Sequence, residues 1–448
     1  MTRLTGRVLA FLVVMAMPSA AFAQKEPGET KETKEAQKSL GLAMLQQTPE
    51  KKKPHLEAAM RHLQIAMTKN PENGLVWMMA GQVYVGLGDF MGADSAFTKA
   101  ETLYPGYAED ISGEREVAWV EAFNAGIAAM DQKNNDEAIA KMELAERLYP
   151  HRPEAKMNLG ALYAQKNEAD KAIAVFEKAI ESTNGPLKDK LKPEEAANWK
   201  RYADMAKSNI AQIVGARGVE LYQAEKYEEA AAAFAKAAEI NPHSRDYLYN
   251  MAQSHYARAT KLTEERTALV AQRDTLLKAK PPKTAEAAAK MAEADRLGQQ
   301  LLPMYDQVAK LFERVLAIEP ASTTVYALIA HAYKLSGDVV AADTAKRNAF
   351  QTKALDYFTK ADQMPFEIVE LSAQSSEGQA TVGGTVKNLK AAPGSPLKIK
   401  VILLGLDGTA VGSQEFTVAA PAADATAPLE GKVAVTGEVA GWKYEVLK

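Results

Sequence analysis

The stretch GLVWMMAGQVYVGLGDFMGADSAFTKAETLYP, residues 74–105, decides how the rest of the chain is read. It sets the small residues Gly81, Ala93 and Ala100 among the larger Trp77, Tyr84 and Phe97, breaks at Gly88-Asp89, and closes on Pro105. Each half has helical spacing, and the glycine break and the closing proline predict two short helices joined by a tight turn. Glycine or alanine on the first helix lets the second approach closely, while the aromatic rings fill the space beside it. These residues are therefore assigned to packing, and none is a site candidate.

The same arrangement recurs along the chain, and Pro71, Pro105, Pro150, Pro242 and Pro320 each close a copy. A first pair has Leu40, Gly41 and Met44 on one helix and Ala59, Leu63 and Ala66 on the next. A third unit, 119–150, carries Gly126, Ala138, Met142 and Ala145. A fourth, 153–184, carries Leu159, Gly160, Tyr163, Ala172, Phe176 and Ala179. The fifth, 211–242, has Gly218, Ala230, Phe234 and Ala237, and Pro193-Glu194-Glu195 ahead of it predicts an early start to its first helix. A seventh, 323–350, has Tyr326, Ala330, Tyr333, Gly337 and Ala342, with a final helix through Phe358 as its cap. These offsets resemble the tetratricopeptide repeat, a two-helix unit of roughly 34 residues. The resemblance implies a mainly α chain, an α-solenoid of about seven helical hairpins over residues 34–364, whose concave face is a binding surface.

The sixth unit is interrupted. Pro71 and Pro105 are 34 residues apart, Pro242 and Pro320 are 78 apart. Within the excess, Leu262, Leu269 and Leu276 are spaced by seven, Pro281-Pro282 breaks the helix, and Met291, Ala294, Leu297 and Leu301 return toward Pro303. This predicts a long helical-hairpin insertion at about 259–303. The three leucines fit either a seam covered by the returning arm or a surface for oligomerisation.

After Pro365 the pattern changes to alternation, β-branched residues and Gly or Asp-Gly turns, which predicts a small all-β sandwich over 365–448. Leu397, Ile399, Val401 and Leu403 are expected on one face of a strand, Val382, Gly384 and Val386 on another. The run PAADATAP, 421–428, is read as a loop. The segments VGGTVKN (382–388), LDGTAVG (406–412) and GWKYEV (441–446) resemble the immunoglobulin-like FxLYD modules of exported bacterial proteins, which implies a non-catalytic module.

Residues 1–23 join Arg3 and Arg7 to an apolar run, 8–17, and the small-x-small site Ala21-Phe22-Ala23. This predicts a cleaved signal peptide, because the run is far shorter than the roughly 20 residues a membrane span needs. Export to the periplasm or medium follows, with no integral membrane segment left after cleavage. The polar stretch QKEPGETKET, 24–33, reads as a disordered tail. Loss of the two arginines takes the formal charge from −3 to −5, which disfavours a nucleic-acid partner. There is no cysteine, so packing alone holds the chain.

No nucleophile with a base, metal cluster or phosphate loop has a workable spacing, so neither enzyme activity nor a cofactor or metal is assigned. The six histidines are scattered, and GLGDFMG, 86–92, sits at a repeat turn with no Lys-Ser or Lys-Thr after it. What remains is the first helix of each unit. Asn124, Asn158 and Asn250 each stand two residues before the small position, at Gly126, Gly160 and Ala252. An amide both donates and accepts, so it suits the backbone of a bound peptide. The ladder resembles the peptide-binding face of the protein O-linked N-acetylglucosamine transferase, though Met79, Ala216 and Leu328 break it. Met78, Gln82, Phe123, Ile127, Met157, Tyr249 and Gln253 are the neighbouring groove candidates; their apolar members serve equally well packed between helices. The expectation is a protein-interaction scaffold that binds a protein or peptide, with a structural subunit or assembly factor of a cell-envelope or secretion complex as the alternative. The oligomeric state stays open.

Overall fold

The computed structural model describes residues 26–376 and 378–447. The leader assigned to residues 1–23 lies outside them. Among the described residues there are fourteen α-helices followed by six β-strands, which is the fold class the sequence predicts. The helices pair in chain order as seven hairpins: α1 (Lys31–Met44) with α2 (Pro49–Lys69), α3 (Gly74–Leu87) with α4 (Phe90–Leu103), α5 (Ala108–Asp131) with α6 (Asn135–Leu148), and α7 (Glu154–Gln165) with α8 (Ala169–Thr183). They continue as α9 (Pro193–Gln223) with α10 (Tyr227–Ile240), α11 (Arg245–Lys278) with α12 (Thr284–Leu316), and α13 (Thr323–Val339) with α14 (Thr344–Asp362).

The hairpin packing follows the small-large rule. A Cβ on Gly81 would lie 2.3 Å from the Phe97 ring, and Gly126, Gly160 and Gly218 meet Met142, Phe176 and Phe234 in the same way. Gly88 ends α3 in the left-handed conformation, φ 77°, and its N–H bonds back onto the last turn. Asp89 then caps α4 through the Gly92 N–H at 2.9 Å.

Several boundaries differ from the sequence reading. The tail assigned to 24–33 ends at Thr30, where a reciprocal capping box with Thr33 starts α1. The third unit opens at Ala108 rather than near residue 119, because its first helix absorbs the wide interval after Pro105. Helix α9 opens at Pro193, where the sequence places an early start. The insertion of the sixth unit forms the expected antiparallel hairpin, turning beside Pro281-Pro282, but as the far ends of α11 and α12, with no boundary at Pro303. Helices α11 and α12 each run on without interruption, and Pro303 lies inside α12. The buried Ala287, Ala294, Leu297 and Leu301 extend the same apolar stripe that continues into Tyr305, Val308 and Phe312. The seventh unit's second helix and the expected cap are one helix, α14, and Ala342 falls in the turn before it.

The described residues divide into two compact units, within Met1–Ala155 and Lys156–Lys448. In the first, helices α1 to α4 share a core that includes Leu40, Leu63, Val76 and Val83. Arg115 of α5, 8% exposed, joins three helices. It grips Glu101 of α4 at 2.9 and 3.1 Å and Asp94 at 3.1 Å, bonds the Thr98 hydroxyl at 3.2 Å, and reaches the Leu148 carbonyl of α6 at 3.4 Å.

In the second unit the strands are β1 (Phe366–Ser376), β2 (Gln379–Asn388), β3 (Pro396–Leu404), β4 (Ala410–Ala419), β5 (Thr426–Ala434) and β6 (Gly441–Leu447). They form two antiparallel three-stranded sheets, ordered β1-β2-β5 and β4-β3-β6. Ile399, Val401, Leu403, Val382 and Val386 are fully buried in the core the sheets share, as their alternation predicts. The run 421–428 is loop only in part, since β5 begins at Thr426. Pro428 pairs with Thr385 on a strand that has no second neighbour, where a missing N–H leaves no ladder bond unmade.

This β region is bonded to the helices. The Asn241 amide donates to the Ala440 carbonyl at 2.7 Å, the Tyr444 N–H to the Ile318 carbonyl at 3.1 Å, and the Ala321 N–H to the Tyr444 hydroxyl at 3.0 Å. The Thr323 hydroxyl donates to the Glu367 carboxylate. Trp442 packs against both the helical core and the sandwich core.

Candidate functional site

The candidate groove residues fall in both units, and they differ in how free they are. In the first unit Asn124 is exposed on α5, while Phe123 and Ile127 are half-buried. Phe123 stacks on Trp119 with centroids 5.1 Å apart and planes 12° apart, so its ring is already held by its own helix. On α3, Met78 packs against the cluster around Phe97 and Tyr107. The Gln82 amide donates to the Glu114 carboxylate at 3.5 Å. Burial pushes the Glu114 carboxyl above the usual carboxylate range, and the amide opposes that rise. Gln82 is thus paired with a residue the sequence did not single out.

In the second unit Met157 is 8% exposed, which makes it a packing residue rather than a lining one. Asn158 and Asn250 are half-buried. Tyr249 and Gln253, one turn apart on α11, are joined by a 2.9 Å hydrogen bond from the amide to the phenol. The Tyr249 ring lies edge-on to Phe312 at 5.7 Å and under the Arg245 guanidinium at 4.2 Å. Of the ten candidates, Asn124 is the most open to a partner; Asn158 and Asn250 keep part of their surface, and the aromatic and methionine candidates mostly serve packing.

A second feature had no marker in the sequence. A polar cleft of about 740 Å³ lies between the middle turns of α9, the start of α11, and the β1–β2 and β5–β6 turns. Arg201, Asn209, Gln212, Tyr247, Ser375 and Glu438 are among its lining residues. Burial raises the Glu438 carboxyl above its ordinary value, with Arg201 opposing and Asp204 reinforcing the shift. The early start of α9 was legible, but nothing in it points to a strand turn more than 200 residues later.

Among the described residues no cluster of three or more His, Asp or Glu side chains is placed to hold a metal ion, and no helix is long and apolar enough to cross a membrane.

Two stretches match models of the tetratricopeptide repeat, residues 123–186 and 211–244. No curated protein matches the chain. Among solved structures it is similar to MamA, at 22% identity over 43% of this chain and 94% of that one, with a TM-score of 0.18. It is also similar to the TPR domain of P58(IPK), at 14% identity over 73% and 98%, TM-score 0.23. A thermophilic TPR protein of Thermus thermophilus aligns at 19% identity over 49% and 98%, TM-score 0.17. With the hairpins they fall on, α5 to α8 and α9 with α10, the two matched stretches establish that this chain contains tetratricopeptide repeats.

Proposed function

We propose that this chain is a non-enzymatic, exported interaction scaffold whose first-helix faces bind an extended or helical segment of a partner protein. The observation that carries the reading is the run of seven helical hairpins with an asparagine at one register of three first helices, α5, α7 and α11. Stacked repeats expose their first helices within each unit, which is the surface such proteins use for binding. Asn124 offers its donor and acceptor to solvent, and an amide can pair with a peptide backbone without reading its side chains.

The test is cross-linked capture from envelope extracts with the native chain and with N124A/N158A/N250A. The variant is expected to lose the captured partner while keeping its helical content. Undiminished capture sinks the first-helix reading. Export is tested separately by the mass of the protein recovered from the envelope fraction: a chain starting at Gln24 supports it, and one that retains residues 1–23 refutes it.

A further inference from the structure

The turn end of the first hairpin carries an apolar and basic corner. Leu42 is 48% exposed, Met44 74% and Leu45 77%. Elsewhere among the described residues, large exposed apolar side chains stand singly or in pairs, so this is their densest group. Across the turn, α2 opens with Lys51, Lys52 and Lys53, of which Lys51 and Lys53 are exposed, and Glu50 is the one acid between residues 42 and 54. Cations in the first turns of a helix oppose its dipole, so these lysines do not serve α2 itself.

We infer that this corner docks on an anionic lipid surface, with Leu42, Met44 and Leu45 entering the headgroup boundary and the lysines lying against lipid phosphates. The combination decides the occupant. Three side chains fall far short of the roughly 800 Å² per partner that a stable protein interface buries. A bilayer asks only for a small apolar wedge flanked by cations, with the apolar part and the charge each adding to the affinity. The corner belongs to the first unit alone, and the inference does not depend on the peptide-binding reading.

The experiment is co-sedimentation of the purified chain with phosphatidylcholine vesicles, and with vesicles in which part of that lipid is replaced by phosphatidylglycerol. Binding is expected only where phosphatidylglycerol is present, and it weakens at high salt. K51Q/K52Q/K53Q lowers it on the order of a hundredfold, taking about one kcal/mol per lysine. M44S/L45S lowers it by about tenfold or more through lost apolar burial. K346Q/K353Q/K360Q, which removes three lysines of α14, is expected to leave it unchanged. No binding to phosphatidylglycerol vesicles, equal binding to pure phosphatidylcholine, or an equal loss in the α14 variant overturns the inference. So does light scattering that shows a dimer abolished by M44S/L45S, which assigns the corner to self-association. Circular dichroism of each variant confirms that loss of binding is not loss of fold.

Discussion

Glycine to alanine at two helical positions of the first unit is expected to change stability with opposite signs. In an exposed helix the change gains about 0.5–1 kcal/mol, because alanine loses less backbone freedom on folding. Gly113 of α5 is exposed, and a Cβ there would meet nothing within 4 Å, so G113A should realise that gain. At Gly81 the added carbon would sit 2.3 and 2.4 Å from two atoms of the Phe97 ring. Ordinary carbon contacts lie near 3.5–4.0 Å, so the overlap exceeds about 1 Å. Phe97 is completely buried and cannot swing to solvent, so α3 and α4 must separate. Overpacking of this kind typically costs about 1–3 kcal/mol, which outweighs the propensity gain and leaves G81A less stable by about 1–2 kcal/mol. Hydrogen–deuterium exchange resolved to α3, α4 and α5 is the suitable assay, because a chain of repeats need not unfold in one step. Faster exchange in α3 and α4 for G81A, with slower exchange in α5 for G113A, is expected. A neutral or stabilising G81A would refute the close-approach reading of the whole repeat.

Tyr444→Phe removes the acceptor of the buried Ala321 N–H, and an orphaned donor there costs about 1–3 kcal/mol, seen as faster exchange in β6 and in residues 317–322. Arg115→Ala takes from Asp94 and Glu101 the cation they share, while Asp94 keeps Arg147 at 3.5 Å. Breaking a buried pair costs about 3–5 kcal/mol, and because these carboxylates keep 19% and 30% of their surface we expect about 2 kcal/mol, measured by exchange in α4 to α6. His255 hydrogen-bonds Gln307 at 3.2 Å, and burial together with nearby Arg258 holds its imidazole below the usual value of 6.5, Glu228 opposing. A lowered folded value means the neutral form is favoured on folding, so this contribution is present above the unfolded value and is lost as pH falls through the folded one. Thermal midpoints of the native chain should therefore drop more than those of H255Q between about pH 7.5 and about pH 5.

The repeats were legible because each obeys a local rule: a small residue opposite a large one at fixed spacing, then a turn. In the sixth unit the hairpin turn was legible too, and only its far boundary was not. Its excess length was plain, but Pro281-Pro282 and Pro303 read as two boundaries, and only the first ends a helix. The buried stripe from Ala287 to Val308 keeps helical spacing across Pro303, and continuity of that stripe is the better guide. Arg115 was missed because one arginine in a charged helix has no pattern of its own. Its partners did have one: Asp94, Thr98 and Glu101 lie on a single face of α4, a polar row aimed at the next helix. The groove candidates were placed by register alone, and register does not reveal that Met157 is buried, or that Tyr249 and Gln253 bond to each other.

In the β region composition shows the secondary structure but not the contacts made with the helices. A change of period near residue 365 marks a change of secondary structure, and reading it as a domain boundary assumes that few contacts cross it. The contacts that do cross are specific. Asn241 stands in the turn between α10 and α11, while Ile318 and Ala321 stand in the turn between α12 and α13. In a repeat array each unit touches only its neighbours, so these turns are the places where successive hairpins can rotate against one another. A sandwich bonded to two of them spans that nearest-neighbour limit and ties the fifth, sixth and seventh hairpins together. It does so through turns, leaving the Asn250 register of α11 outside the bonded set. The β region is thus fixed by hydrogen bonds to two successive inter-hairpin turns, contacts between segments some 120 to 200 residues apart that no local pattern announces.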